Sequence, residues 1–226
     1  MRAETTREPG TERLRVLVVD DSELFRTGLQ ALLSDDFEVA SAASGDAALR
    51  QVVSFRPDVV VMDMGMPGMS GSDATRRILE AAPSTFVMVL TGSEGDVLEA
   101  VRAGASGYLL KSADVADIVK AIRATAAGHA PFAPQVAGAL LATVRDSRAA
   151  EEPCVGVALS ARERQVLTLL ASGANNVEIA RRLYISTSTV KGQISGLLSK
   201  LAVENRIQAA GVAIRAGLVD DSISLG

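Results

Sequence analysis

The sequence predicts an α/β domain with a doubly wound, five-stranded parallel sheet, followed by a linker and a small all-α domain. Two patterns in the 226 residues favour this organisation. Up to about residue 125, short runs of β-branched residues alternate with helical segments, which is typical of a parallel sheet covered by helices on both faces. After residue 158 only helical periodicity is present. The predicted domain ranges are 14–127 and 158–222, with a linker over 128–157.

Five apolar runs are the predicted strands, in the order LRVLVV, FEVASA, PDVVVM, TFVMVL and SGYLL. Runs such as VLVV and VVVM have no polar alternation, as expected for strands that are buried on both faces. Between the strands, apolar residues recur three and four positions apart, which predicts amphipathic helices. In the first of these segments the apolar stripe comprises Leu24, Phe25, Gly28, Leu29, Leu32 and Leu33.

The predicted linker begins with GHAPFAPQ, whose prolines and glycine interrupt regular structure. The segment PQVAGALLATVRD then predicts a short amphipathic helix over 136–144. The small and polar stretch DSRAAEEPCVG is typical of an exposed linker. The chain has one cysteine, Cys154, so no intramolecular disulfide can form.

The all-α domain is predicted to contain four short helices. Ser160 and Glu163 form a capping box ahead of the first helix, and Gly173 is placed to end it. The second helix is predicted over 176–183 and the fourth over 205–216. Ser186 caps the third helix, whose apolar face comprises Val190, Ile194, Leu197, Leu198 and Leu201.

Charge is divided unevenly along the chain. The net charge of −4 by itself argues against a nucleic-acid-binding protein. Residues 1–130, however, hold 13 basic and 19 acidic side chains, whereas residues 158–215 hold eight basic and three acidic ones. The all-α domain is therefore suited to a polyanion, and the opposite signs predict that the two domains can dock on each other.

No segment resembles a membrane span or a secretory signal. The longest apolar runs, such as residues 86–90, are far shorter than the ~20 residues that cross a bilayer. The opening MRAETTREPGTERLR has no apolar core. We therefore expect a cytoplasmic protein that does not associate with membranes.

Polar residues follow four of the predicted strands at the edge where a doubly wound sheet binds ligands. They are Asp20, Asp21, Asp63, Thr91 and Lys111. Three converging carboxylates repel one another unless a cation is present, and Mg2+ with oxygen ligands resolves that conflict. Beside such a cation and a lysine, Asp63 is the predicted nucleophile toward a phosphoryl group, giving an aspartyl phosphate.

Each residue of this set also has a structural interpretation. An aspartate after a strand is more often a helix cap than a nucleophile, and a lone lysine is usually a surface residue. The joint placement at four strand ends favours the site, because caps do not require it. The chain has no phosphate-binding glycine loop, so the phosphoryl group must come from another protein or a small phosphodonor. The methionines at 62, 64, 66 and 69 are interpreted as gap-filling side chains.

Residues 14–125 resemble the receiver domain of bacterial two-component response regulators through VVDD, VVVMDMGMPGMSG, VLTG and AGASGYLLKS. The resemblance implies a flavodoxin-like fold and phosphorylation of Asp63. It also implies that Asp20 and Asp21 bind Mg2+ together with Asp63 and the backbone carbonyl of Gly65.

The same resemblance implies a switch and a partner. The positions of Thr91 and Tyr108 would act together, the hydroxyl turning toward the phosphoryl group while the aromatic ring rotates inward. The implied phosphoryl donor is a sensor histidine kinase.

The segment NNVEIARRLYISTSTVKGQISGLLSKL predicts a helix, a tight turn and a second helix. With its apolar face inward, the second helix presents a polar stripe comprising Ser188, Lys191, Gly192, Ser195 and Ser199. A helix of this kind can lie in the major groove of DNA. A solvated helix face is the commoner explanation of a polar stripe, but the cationic character of the domain favours DNA.

This part of the chain resembles the LuxR-type DNA-binding domain of NarL/FixJ response regulators, through LSARERQVLTLLASGANNVEIARRLYISTSTVKGQISGLLSKLAVENRIQAA. The resemblance implies that Ser188, Lys191, Gly192 and Ser195 contact bases or nearby backbone. Phosphate contacts are implied for Thr187, Thr189 and Lys191. The last helix would form a homodimer interface on double-stranded DNA. Since Gly192 and Ser195 are smaller than the groups common in relatives, DNA shape could carry more of the specificity.

The leading hypothesis is a transcription factor in which phosphorylation of Asp63 switches dimerisation and DNA binding. One alternative is an atypical regulator that binds DNA without phosphorylation, which the intact acidic set disfavours. Another is an Mg2+-dependent phosphatase of the haloacid-dehalogenase kind. Such enzymes need a second acid two positions after the nucleophile, where this chain has Gly65, so we expect no turnover beyond slow self-dephosphorylation.

Overall fold

The computed structural model of the protein describes residues 13–92, 97–129, 159–203 and 206–218. The helix predicted over 136–144 and Cys154 lie outside the described residues. The two domains that the sequence predicts are both present within them.

Five parallel strands form one sheet in the order β2-β1-β3-β4-β5. They are β1 Arg15–Val19, β2 Glu38–Ala42, β3 Val59–Met62, β4 Phe86–Thr91 and β5 Gly107–Leu110. The strand order reverses at β1, which pairs with both β2 and β3. The predicted doubly wound, flavodoxin-like sheet is confirmed.

Helices cover both faces of this sheet. They are α1 Glu23–Leu33, α2 Gly45–Phe55, α3 Gly71–Ala81, α4 Val97–Arg102 and α5 Val115–Ala126. Successive strand side chains point to opposite faces, so Val16 and Val18 pack with α1 and α5 while Leu17 and Val19 pack with α2 and α3.

Periodicity alone gives too wide an apolar stripe for α1. Leu29 and Leu33 are buried, whereas Leu24 is 87% exposed and Leu32 is 56% exposed. The helix meets the sheet along one narrow line, and Leu24 and Leu32 lie outside it. Leu24 and Leu32 therefore belong to the apolar repeat that predicts α1 but not to the core.

Four helices form the carboxy-terminal domain: α6 Ala161–Ala171, α7 Asn176–Leu183, α8 Thr187–Lys200 and α9 Arg206–Arg215. The capping box of Ser160 and Glu163 is confirmed, and Asn175 and Glu178 form a second one at α7. On α8 the predicted apolar face is buried, with Leu198 only partly so. Helices α7 and α8 thus form the predicted helix-turn-helix.

A short joint connects the two domains at the end of α5. The backbone N–H of Asn176 donates to the carbonyl of Ala127 at 3.0 Å. Arg206 donates to the carbonyl oxygens of Gly128 and of Ala174, the latter at 2.8 Å. The amide of Asn175 lies 3.0 Å from Nε2 of His129. The carboxyl end of α5 therefore meets the amino end of α7, where carbonyl and N–H groups complement each other.

Candidate functional site

One edge of the sheet collects the polar residues that follow the strands. Asp20 comes directly after β1, Asp63 after β3 and Lys111 after β5, and Thr91 is the last residue of β4. Because these four parallel strands are adjacent, their carboxyl ends lie side by side. The fold therefore brings together the side chains that the sequence predicts to share a site.

Three carboxylates form the acidic part of this site. Asp20, Asp21 and Asp63 each offer an oxygen, and these oxygens lie within 4.8 Å of one another. Asp20 and Asp63 are buried while Asp21 is exposed. Oxygen ligands this close fit a hard divalent cation such as Mg2+, and the pocket is of the kind that binds Mg2+ in receiver domains. Gly65 lies in the exposed loop after Asp63, and ligation by its carbonyl stays a prediction.

Lys111 supplies the positive charge at this edge. Its Nζ lies 2.7 Å from Oδ2 of Asp20 and 2.9 Å from Oδ2 of Asp63. Burial lowers the pKa of this ammonium group, but the hydrogen bonds and charges of the two carboxylates outweigh it, and the net direction is upward. Lys111 is therefore protonated and fixed against the predicted phosphoacceptor.

Two residues of α1 support the site and were not assigned to it from the sequence. The ring of Phe25 lies 4.7 Å from Nζ of Lys111, in cation–π contact. The guanidinium of Arg26 donates to the backbone carbonyl of Asp20 at 2.8 Å. In the sequence Phe25 belongs to the apolar stripe of α1, and periodicity does not reveal which ring faces a distant lysine.

Gly71 permits the close approach of α3 to the phosphoacceptor loop. A Cβ atom at this position would lie 2.1 Å from the backbone oxygen of Asp63 and 2.7 Å from Cα of Met64. The Gly71 N–H also donates to the carbonyl of Met64 at 3.2 Å. Sequence reasoning missed this contact; the signal available was only a glycine at the start of a helix.

The two residues of the predicted switch are both enclosed. Thr91 is 2% exposed and Tyr108 is 1% exposed. The Tyr108 ring packs in a cluster with Met64, Val89 and Val97, and its coupled movement with Thr91 stays a prediction. The buried positions of Met62, Met64 and Met66 in the apolar clusters confirm that these methionines fill gaps.

The predicted DNA-contacting residues of α8 divide into two groups. Thr187, Ser188, Thr189 and Gly192 are exposed, whereas Lys191 and Ser195 are partly covered. Ser186 caps the helix, accepting from the Thr189 N–H at 3.1 Å. The exposed amino-terminal end fits entry into a groove, but the middle of the stripe faces the receiver-like domain.

Lys191 is partly covered because it contacts the amino ends of the strands, opposite the acidic site. Nζ of Lys191 lies 3.6 Å from Oδ1 of Asp58 and 5.0 Å from the centre of the Phe86 ring. We call these three residues the docking contact. Asp58 directly precedes β3 and Phe86 begins β4. The domains therefore touch as their opposite charges predict, and they do so at the amino ends of β3 and β4, remote from Asp63.

Comparison with protein families matches both parts of the chain. The receiver domain of response regulators matches residues 16–123, and the luxR family of bacterial regulatory proteins matches residues 157–213. No helix among the described residues combines the length and apolar character needed to cross a membrane.

Similar proteins extend over almost the whole chain. The transcriptional regulatory protein LiaR of Bacillus subtilis is 41% identical over 92% of this chain and 100% of its own length. The nitrate/nitrite response regulator NarL of Escherichia coli is 36% identical over 91% of this chain and 95% of its own. The crystal structure of ChrA, from a heme-sensing two-component system, is 38% identical with a TM-score of 0.50, covering 92% of this chain and 100% of that one. The chain therefore belongs to the two-component transcriptional response regulators, with a receiver domain followed by a LuxR-type DNA-binding domain.

Proposed function

We propose that Asp63 accepts a phosphoryl group from a sensor histidine kinase and that this releases α8 from the receiver to bind double-stranded DNA. One observation carries the proposal. Lys191, the only long basic side chain on the predicted DNA-reading stripe, is held by Asp58 and Phe86 of the receiver. While this docking contact is made, the middle of α8 cannot lie in a groove.

The acidic edge has the groups that phosphoryl transfer needs. A carboxylate oxygen of Asp63 attacks phosphorus, and a new P–O bond forms as the bond from phosphorus to the donor imidazole breaks. The electron pair stays on the imidazole, which takes up a proton. Lys111 and the hydroxyl of Thr91 oppose the charge on the phosphoryl oxygens. Asp20, Asp21, Asp63 and the Gly65 carbonyl would hold Mg2+, which adds positive charge against the same oxygens when bound.

Two strands connect the acidic edge to the docking contact. Strand β3 lies between Asp58 and Asp63, and β4 runs from Phe86 to Thr91. Residues 59–62 of β3 pair with residues 86–89 of β4, and both strands are buried apart from the half-buried Phe86. Packed strands move as units. A displacement of Asp63 and Thr91 on phosphorylation would therefore be transmitted along β3 and β4 to Asp58 and Phe86, which hold Lys191.

Acetyl phosphate labelling tests the first half of this proposal. We expect labelling of the wild-type protein in Mg2+ and none of Asp63→Asn, because the amide cannot act as nucleophile. Labelling that persisted in Asp63→Asn would overturn the assignment. We expect chelation of Mg2+ to suppress labelling as well.

DNA titration and light scattering test the second half. Phosphorylated protein should bind operator DNA more tightly and form a homodimer, whose interface we assign to α9. Lys191→Ala should weaken operator binding by the phosphorylated protein in a mobility-shift assay. Unchanged mass and affinity on phosphorylation would instead support a regulator that binds DNA without the switch. We further propose that the protein acts in the cytoplasm and has no catalytic turnover.

A further inference from the structure

A cavity of about 430 Å3 lies between the two domains, beside the docking contact. The receiver forms one side of it with the end of α3, the loop before β4 and the turn before β5. The DNA-binding domain forms the other side with α8 and the beginnings of α7 and α9. Cavities of this size at domain interfaces are common places for small ligands. Because each domain supplies one side, this interdomain cavity exists only while the domains are docked.

The apolar part of the wall suits the body of a small organic molecule. Leu79 and Phe86 contribute to it from the receiver, and Ile194, Leu198 and Val203 contribute from the DNA-binding domain. Of these five side chains, all but Ile194 are only partly buried. Covering their remaining apolar surface with an apolar ligand would remove it from water, which is favourable.

The charged part of the wall favours an anion. The charged residues described there are Arg76, Lys191 and Arg206, which are basic, and Glu80, which is acidic. Two of the three basic residues have a carboxylate partner elsewhere: Arg76 lies 2.7 Å from Asp73, and Lys191 lies 3.6 Å from Asp58. The remaining one, Arg206, differs from them.

Arg206 is a partly buried cation for which the described residues provide no counter-charge. Its guanidinium donates to the backbone carbonyl oxygens of Gly128 and Ala174, which are neutral. Burial lowers the pKa of Arg206, and no described carboxylate offsets that effect. Charges withdrawn from water are normally paired in proteins. An arginine has five N–H donors, so two hydrogen bonds leave donors as well as charge for a ligand.

We propose that the interdomain cavity binds a small amphipathic anion, a carboxylic acid with an apolar body, whose carboxylate pairs with Arg206. The planar guanidinium of arginine is the cation best matched to a carboxylate. Because the wall belongs to both domains, the bound acid stabilises the docked arrangement, in which Lys191 is covered, and thereby opposes DNA binding. Only this second effect rests on the proposed function.

The first test titrates the unphosphorylated full-length protein with naphthylacetate, followed by ligand-observed NMR. Naphthylacetamide has nearly the same shape without the charge, and acetate has the charge without the apolar body. Since hydrogen bonds to a charged group are among the stronger ones, the amide should bind roughly tenfold more weakly than the acid. Acetate should not compete with the acid. Equal binding of acid and amide, or no saturable binding of the acid at millimolar concentrations, would overturn the proposal.

Two pairs of variants locate the bound probe. Arg206→Gln should bind the acid no better than the amide, whereas Arg77→Gln, on the exposed face of α3 outside the described wall, should keep the preference for the acid. Arg206→Gln also loosens the joint between the domains, so a second pair leaves Arg206 in place. Ser106→Phe adds a ring to the cavity wall and should weaken binding of both probes, whereas Ser54→Phe, exposed on α2, should not. Unchanged binding of the acid by Ser106→Phe would exclude this cavity as the site.

The same probe tests the effect on DNA binding. A ligand that needs both walls binds only the docked form, so naphthylacetate at ten times its Kd should lower the operator affinity of the unphosphorylated protein about elevenfold. Saturating probe without any loss of operator affinity would refute the claim that the bound acid holds the domains together. If instead phosphorylation failed to change operator affinity, the proposed switch would be wrong, while the probe titration would still establish the site.

Discussion

The two ends of strands β3 and β4 are built in contrasting ways. At the carboxyl end, Asp63 is buried against Lys111, and the chain packs so closely that Gly71 has no room for a methyl group. At the amino end, the docking contact includes an ion pair of 3.6 Å and a cation–π contact. The first end is fixed by packing, whereas the second is held by a long ion pair and a cation–π contact, which are worth about 1–2 kcal/mol each. A switch needs this asymmetry, because the site must keep its geometry while the docking contact opens.

The largest effect should come from breaking the packed end with Gly71→Ala. The added Cβ would lie 2.1 Å from the Asp63 carbonyl oxygen, and both partners are backbone, so α3 or the phosphoacceptor loop must shift. Overpacking of this kind costs ~1–3 kcal/mol, and we expect the upper end of that range together with a strong loss of acetyl phosphate labelling. Urea unfolding and labelling of the same preparation measure both effects.

Gly192→Ala is the matched control in the other region. A Cβ at Gly192, in the middle of α8, would meet nothing within 4 Å. Alanine is a better helix former than glycine, so this change should raise the free energy of unfolding by up to ~1 kcal/mol. If Gly71→Ala were as well tolerated as Gly192→Ala, the packed character of the phosphoacceptor loop would be refuted.

The acidic site at the carboxyl ends of the strands could be predicted from the sequence, whereas the docking contact at the amino ends could not. Asp20, Asp63 and Lys111 could be placed because each directly follows a buried apolar run, and parallel strands share an edge. The contacts of Phe25 with Lys111 and of Asp58 with Lys191 join residues far apart in the chain, and no local pattern encodes them. Charge asymmetry predicted that the domains attract each other, but not which carboxylate meets which lysine. Leu24 is a further example, since periodicity predicts helix α1 but does not show which of its apolar residues pack against the sheet.

The docking contact should respond to Asp58→Asn, which removes a charge and little else. The asparagine oxygen can still accept the hydrogen bond that Oδ2 of Asp58 receives from the Arg15 N–H at 3.1 Å, so the receiver should stay folded. Loss of an ion pair worth about 1 kcal/mol corresponds to roughly a fivefold change in an equilibrium. We therefore expect the unphosphorylated variant to bind operator DNA about fivefold more tightly than the wild type.

Asp117→Asn controls for the change in net charge. Asp117 pairs with Lys120 on the exposed face of α5, within the receiver. The Asp117→Asn variant should bind operator DNA with the same affinity as the wild type. An equal gain in both variants would mean that the effect comes from weaker repulsion of DNA by the receiver, and Asp58 would then have no role in the docking contact.

The smallest effect concerns an ion pair inside the DNA-binding domain, which offers a comparison for the one between domains. Lys200 lies 2.8 Å from Glu163, and this hydrogen bond, with those from Ser160, lowers the pKa of Glu163 to about 2. A depressed carboxyl pKa stabilises the folded state above the ordinary value of about 4.3, and that contribution is lost as the pH falls toward 2. The difference in unfolding free energy between wild type and Glu163→Gln should therefore be constant from pH 7 to 5 and shrink below pH 4 in urea titrations. Operator affinity at pH 7 should not change, because this pair lies within one domain and does not hold the two domains together. A gain in affinity like that of Asp58→Asn would mean that loosening the helical domain, rather than opening the docking contact, frees α8.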